Sequence, residues 1–283
     1  MQLKEVLEIF EEKKSEFLVD IPTDENPLCI LLGGQGAVGK GQLNLRAEMM
    51  YPEKKFLPIN GDNYRLWHPK FEELSHDIFN YAKETQIFSN VFTEGLIGES
   101  IKKKYSFIVE GTMRSSVVPM KTAALLRQNS YKTAAFVIAA PKEFSLLNAF
   151  LRFLKEVSKK GFGRMIDIES HDAAVEGLPI SLDNLYLSKS VDRICIFDCF
   201  ANNLVKDYRL VEGKWDSLEL PSWIIKDSRE KQLQNVMMID ALLNEGEGEL
   251  KKLRDNVFKQ EFQHAFNCLR ECKPVVTKKQ IKL

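Results

Sequence analysis

Leu31-Leu32-Gly33-Gly34-Gln35-Gly36-Ala37-Val38-Gly39-Lys40-Gly41 decides the reading of this chain, because an apolar run opens here into a glycine-rich turn that carries a lysine. Gly34, four intervening residues, Gly39 and Lys40 reproduce the spacing in which backbone N–H groups wrap nucleotide phosphates. The helix that follows adds the positive end of its dipole, and the lysine reaches the β and γ oxygens. The position that usually holds Ser or Thr, whose hydroxyl binds Mg2+, is Gly41. On the entry side, Pro27 to Leu32 is a continuous apolar run of the kind a strand buried on both faces requires. On the exit side, Gln42 to Met50 lacks Pro and Gly and places Leu43, Ala47 and Met50 on one helical stripe. Strand, loop and helix in this order are the context a phosphate-binding loop needs; the alternative is an ordinary strand-to-helix turn.

The chain has 283 residues, enough for one large core with or without an appendage. Lys and Arg number 40, as do Asp and Glu, so no global field draws it to nucleic acid or to an anionic membrane. No apolar stretch is long enough to span a bilayer, and Met1 to Phe10 reads as an acidic amphipathic helix rather than a signal peptide; a cytoplasmic protein is expected. Five scattered cysteines argue for reduced thiols, with Cys29 and Cys195 in core strands. His264, Cys268 and Cys272 span about 12 Å of one helix, too far for a single tetrahedral ion, so no metal site is assigned to side chains.

Further strands are expected at Lys55–Asn60, Tyr105–Glu110, Thr133–Ala140 and Asp192–Asp198, with helical patterns between them. This alternation predicts an α/β fold, a mostly parallel sheet with helices on both faces and ligands at the carboxyl ends of its strands. Polar residues cluster at those ends: Gly34 to Lys40, then Asp62, then Glu110 to Arg114. Asp207 to Trp215 reads as a hairpin turning at Gly213, and Leu218 to Trp223 as a short apolar-polar segment. Two helices follow, Arg229–Leu243 and Glu249–Glu271, separated by Glu-Gly-Glu-Gly at 245–248, with Leu253, Val257, Phe262, Phe266 and Leu269 as the buried stripe of the second. Lys273 to Leu283 reads as a frayed basic tail. The expected division is a core over residues 1–205 and a hairpin and helical extension over 206–283 packed on it.

Several motifs stand in order along the chain: the loop; Asn60-Gly61-Asp62-Asn63-Tyr64-Arg65 with His68-Pro69; Phe88-Ser89-Asn90 with Thr93-Glu94; and Val109-Glu110-Gly111-Thr112-Met113-Arg114. Val118-Pro119 with Thr122-Ala123, Ala140-Pro141-Lys142, Leu151-Arg152-Phe153, and Arg164 followed by His171-Asp172 continue the series. Over roughly residues 28–200 the chain resembles the zeta toxins, P-loop small-molecule kinases of bacterial toxin–antitoxin systems. The resemblance implies a P-loop NTPase-like fold and transfer of a phosphoryl group from ATP or GTP, with Mg2+, to a sugar hydroxyl of UDP-N-acetylglucosamine. It also implies a small helical antitoxin that obstructs the nucleotide cleft.

On this reading Asp62 is the base, Lys40, Arg152 and Arg164 hold the transferring phosphate, and Gly34, Gln35, Gly36, Ala37, Val38, Gly39, Lys40 and Gly41 form the nucleotide cradle. The resemblance places Glu94, Glu110, Thr112, Arg114 and Thr122 around the nucleotide sugar. The residues themselves leave alternatives open. Asp62 suits the cap of a helix beginning near Tyr64, and Arg152 and Arg164 suit solvated helix positions, with Lys159 or Lys160 as substitutes for Arg164 across a lid at 159–163. Ala37, Val38 and Gly41 depart from the family loop; a positive φ at Ala37 would strain it by about 1 kcal/mol. Two further readings are therefore kept, a nucleotide-sugar-binding protein that has lost turnover and a kinase for a different small hydroxyl compound.

Overall fold

The computed structural model describes residues 2–77 and 80–274. The opening apolar run forms strand β1 (Leu28–Gly33), in which all six residues are buried. Its side chains alternate between two hydrophobic layers. Ile30 and Leu32 join Phe136, Phe150 and Phe262 on one face, while Cys29 and Leu31 join Phe92, Phe107 and Val137 on the other.

Strands β2 (Leu57–Ile59), β3 (Phe107–Glu110), β4 (Lys132–Ile138) and β5 (Arg193–Phe197) pair in parallel with β1 in the order β2-β3-β1-β4-β5. The antiparallel strands β6 (Leu204–Val211) and β7 (Lys214–Trp215) complete the sheet beyond β5. Leu31 lies opposite Val109 and Ala135, a register that brings the carboxyl ends of β1 and β3 to one edge. At the sheet margins, β2 is three residues long with Pro58 exposed at its centre, and β7 is two residues long. Glu212 and Gly213, with φ of 49° and 74°, form the two-residue turn of the expected hairpin.

Helix α1 (Leu3–Phe17) packs on α6 (Gln86–Lys103), with the Phe10 and Phe92 rings edge to face at 5.3 Å. Between β1 and α6 lie α2 (Gly41–Met50), α3 (Gly61–Tyr64), the 3-10 turn Arg65–Trp67, α4 (Phe71–Ser75) and α5 (Tyr81–Glu84). Helices α7 (Val117–Gln128), α8 (Lys142–Lys160) and α9 (Ile168–Leu187) separate the later strands. No described helix is long and apolar enough to cross a membrane.

The C-terminal helices differ from expectation. Three are present among the described residues, α10 (Pro221–Gln232), α11 (Val236–Leu250) and α12 (Val257–Cys272), and Pro221 opens the first, so Leu218–Trp223 is not a separate segment. Glu-Gly-Glu-Gly lies inside α11 rather than breaking it. A Cβ at Gly246 would stand 3.1 Å from the Phe266 ring, so this glycine lets α11 and α12 approach closely. The true starts of α11 and α12 are marked by Asn235 and Asn256, whose side chains accept the amides of Met238 (3.1 Å) and Lys259 (2.9 Å). Leu253 precedes α12 and Val257 is exposed; the buried stripe is Phe262, Ala265, Phe266 and Leu269. Of the basic tail, residues from Val275 onward lie outside the described residues.

Candidate active site

The turn after β1 takes the shape its glycines allow. Gly34 and Gly39 have φ of 137° and 88°, and Ala37, at 61°, occupies the same left-handed region without a glycine's freedom. Three contacts hold the loop in place. The Gly34 amide donates to the Thr112 carbonyl (3.3 Å), Asn148 on α8 donates to the Ala37 carbonyl (2.6 Å), and the Phe200 amide donates to the Val38 carbonyl (3.1 Å). The amides of Gly36 to Lys40 donate to no other group among the described residues, so the loop presents a row of backbone N–H groups at the start of α2. Ile166 covers Gly36, where a Cβ would stand 2.8 Å from its Cγ2.

Lys40 folds back into the loop, donating to the carbonyls of Gly34 (3.0 Å) and Gln35 (2.9 Å), with Glu110 Oε1 3.7 Å from its Nζ. Burial pushes its pKa down, opposed by Glu110 and Asp62 and assisted by Arg152 and Arg164. The Gln35 side chain turns inward, donating to the Ala140 carbonyl (2.9 Å) and Ser145 Oγ (3.1 Å); it contributes to the cradle through its backbone. Ser145 also meets His171 Nε2 at 2.8 Å, and His171 Nδ1 lies 3.0 Å from Asp172. Gly41 is exposed, and nothing lies within 4 Å of the place a Cβ would take.

The turn after β2 is built from side chains. Asn60, not Asp62, caps α3, accepting the Asp62 amide (3.0 Å) and donating to Glu110 Oε2 (2.8 Å). That releases the Asp62 carboxylate from capping. A Cβ at Gly61 would collide with the hydroxyls of Ser89 and Thr93, so glycine there seats the turn against α6. Asp62 Oδ1 accepts from Arg65 Nε (3.0 Å), and Oδ2 pairs with Arg164 Nη1. Burial pushes the Asp62 carboxyl up, but Arg164 and Arg65 outweigh it and hold the group below its ordinary range.

Arg152 and Arg164 meet through the donation of Arg152 Nη2 to the Arg164 carbonyl (3.4 Å), and Glu156 accepts the Arg164 amide (3.1 Å). Burial and the neighbouring Arg164 both push the Arg152 pKa down. Its Nε, buried, has no hydrogen-bond partner, with Glu156 Oε1 no closer than 3.7 Å. The segment carrying Arg164 leaves α8 at Gly161 (φ 79°), and its Phe162 ring packs edge to face on Phe71 of α4 at 5.2 Å. Arg164 therefore reaches the site, and Lys159 and Lys160 are exposed at the end of α8.

The residues placed around an acceptor are more dispersed. Glu110 joins the centre through Lys40 and Asn60. Thr112 holds the loop by its carbonyl, Arg114 is exposed and donates to Ser170 Oγ (3.2 Å), Thr122 Oγ1 bonds within α7 to the Val118 carbonyl (3.1 Å), and Glu94 is exposed on α6. Asn60, Arg65, Asn148, Ser145 and His171 make contacts at the site that sequence reasoning did not assign. Arg65 had a signal, its place three residues after Asp62. Among the described residues, no group of three His, Cys, Asp or Glu side chains is placed to hold a metal.

Comparison with known proteins identifies the family and the fold. The zeta toxin family model matches residues 14–209. Toxin zeta of Enterococcus hirae is 29% identical over 239 residues, covering 80% of this chain and 77% of its own. Toxin PezT of Streptococcus pneumoniae is 28% identical over 224 residues, 75% of this chain and 88% of its own. The solved structure of the PezAT chromosomal toxin–antitoxin system of Streptococcus pneumoniae shares the fold, with a TM-score of 0.66 at 21% identity over 96% of this chain and 98% of that one. That likeness of fold extends over C-terminal elements beyond the family match. With well over half of its 283 residues matched, the chain belongs to the zeta toxin family.

Proposed function

We propose that this protein is an ATP-dependent kinase that transfers the γ-phosphoryl group to a sugar hydroxyl of UDP-N-acetylglucosamine. The observation that carries the reading is the convergence of Lys40, Arg152 and Arg164 on the carboxylate of Asp62, beside a row of unengaged loop amides. A buried cationic cluster with an unsatisfied guanidinium N–H is suited to an anion, and the amides suit phosphate oxygens. Asp62, kept ionised by Arg65 and Arg164, accepts the hydroxyl proton while Arg164 turns from the carboxylate to the transferring phosphate. Glu110 ends β3 and Asn60, bonded to it, follows β2 beside the cradle, and Thr112, Arg114, Glu94 and Thr122 are the residues proposed to meet the acceptor.

Gly41 offers no side-chain ligand to Mg2+, which would accompany the nucleotide and would supply charge neutralisation on its phosphates. GTP is a second donor to be tried. Phosphorylating UDP-N-acetylglucosamine withdraws it from cell-wall synthesis, and a small helical antitoxin that covers the nucleotide cleft restrains the activity. The PezAT structure, a toxin–antitoxin system, supports such a partner.

The test is incubation with γ-labelled ATP and a panel of nucleotide sugars and other hydroxyl compounds. Label in UDP-N-acetylglucosamine supports the reading, and label elsewhere replaces the acceptor. Gly41 and the left-handed Ala37 favour one second reading, a binding protein without turnover. Gly41→Ser separates the two. In a working kinase it lowers the Mg2+ needed for half-maximal rate by about threefold, whereas transfer seen only in the variant establishes the second reading.

A further inference from the structure

We propose that Arg65 is a positioning residue for phosphoryl transfer, fixing one oxygen of the Asp62 carboxylate so that the other faces the reacting phosphate. The inference rests on the reading of Asp62 as the base. Arg65 is 5% exposed, the depth at which an arginine must find partners for its donors. Its guanidinium finds four. Nε donates to Asp62 Oδ1 (3.0 Å), Nη1 to the Ala82 carbonyl (2.7 Å) and Thr85 Oγ1 (2.7 Å), and Nη2 to Gln86 Oε1 (3.1 Å). Those partners are themselves anchored: Thr85 Oγ1 donates to the Tyr81 carbonyl (2.6 Å), and Gln86 Nε2 donates to Asn90 Oδ1 (2.6 Å).

The base is therefore tied by a rigid fork to the junction of α5 and α6, and a single ammonium on a flexible stem cannot bridge those partners at once. With Oδ1 engaged, Oδ2 is left to Arg164, whose carbonyl in turn accepts from Arg152. The charged and titratable groups facing Asp62 are Arg65 from its own turn, Arg164 from the segment after α8, Arg152 from α8, Lys40 from the loop and the Tyr81 phenol from α5. Of these, Arg65 is fixed by four bonds, whereas Arg164 has to exchange partners during the reaction.

The experiment compares wild type, Arg65→Ala, Arg65→Lys and Asp62→Asn in the full chain, with γ-labelled ATP and UDP-N-acetylglucosamine as probes across about pH 3 to 9, since the Asp62 carboxyl is held below its ordinary range. Arg65→Ala should lower kcat by about 30-fold, leave KM for ATP within about threefold, and move the acidic limb of the rate profile up by about one unit. Methylguanidinium in solution should restore part of that rate, and Arg65→Lys should stay at least about tenfold below wild type. A wild-type acidic limb in Arg65→Ala overturns the proposal, as does full activity in Arg65→Lys, which would mean that Arg65 only fills space and supplies charge. Full activity in Asp62→Asn instead removes the base assignment and leaves the two failures distinct. Carbon NMR titration of the Asp62 carboxyl reads the pair without any acceptor: Arg65→Ala should raise it by about one unit, and an unmoved titration also overturns the proposal.

Discussion

The turns after β1 and β2 flank the same strand end and are built by opposite means. Gly34 to Lys40 works through its backbone, with three residues at positive φ and a row of unengaged amides. Asn60 to Arg65 works through side chains: Asn60, Asp62 and Arg65 bond one another or Glu110, and no residue has positive φ. A backbone cradle recognises charge and tolerates changes of side chain, which is why Ala37, Val38 and Gly41 can stand where the family pattern differs. A side-chain constellation fails when one member is lost.

That contrast predicts a graded series. Asp62→Asn should reduce phosphoryl transfer by at least about 100-fold while the cap of α3 is kept, since Asn60 rather than Asp62 supplies it. Retention of a third of the rate in a labelled-ATP assay would break the comparison at its side-chain end. Lys40→Ala should cost about 30-fold in kcat/KM, divided between ATP affinity and turnover, because the ammonium touches phosphate in both ground and transition states. Calorimetric ATP binding equal to wild type would show that the cradle works without it.

The floor of the loop is where the first turn borrows side chains, through Gln35, Ser145 and His171. Burial, ahead of the opposing pull of Asp172, holds the His171 pKa below its ordinary 6.5. Below about pH 6.5 the unfolded chain therefore binds a proton that the folded chain refuses, and stability falls as pH drops toward the folded value. The midpoint of thermal unfolding should decline more steeply between about pH 7.5 and pH 5.5 in wild type than in His171→Asn; parallel slopes would assign the decline to other groups. The smallest effect belongs to Ala37→Gly. Releasing the left-handed alanine should stabilise by about 0.5 kcal/mol, the strain relieved less the added freedom of the unfolded chain, and denaturant titration resolves the sign.

The sheet and the phosphate loop were legible because their signals are local: a buried run, a glycine turn, a helical stripe. β2, β3 and β5 fall within the predicted stretches, β1 and β4 overrun theirs by one residue each at Gly33 and Lys132, and Asp62 follows the predicted strand end. Partnerships across distant parts of the chain were not legible. Nothing in Asn148 announces that it pins Ala37 from 111 residues away, and the His171 ring meets Ser145 only because α8 and α9 cross there. The glycines at 246 and 248 misled in another way. They read as a break, yet Gly246 serves helix packing against Phe266, a role that periodicity cannot separate from a terminus. The asparagines at 235 and 256 carried the correct boundaries as caps.

The two margins of the sheet have a consequence for behaviour at high concentration. β2 offers a neighbouring molecule three residues interrupted by Pro58, which has no N–H to give, and β7 offers two residues. An intruding strand would find too few ladder bonds at β2 to hold it; at the other margin β7 covers only Leu210 and Val211 of β6, so Leu204–Arg209 are paired in the ladder with β5 alone. The long, apolar strands β1 and β4 are enclosed between partners, so edge pairing through them or through β2 is disfavoured by construction, independently of surface charge, and the mixed-polarity strand β6 is the side left for it.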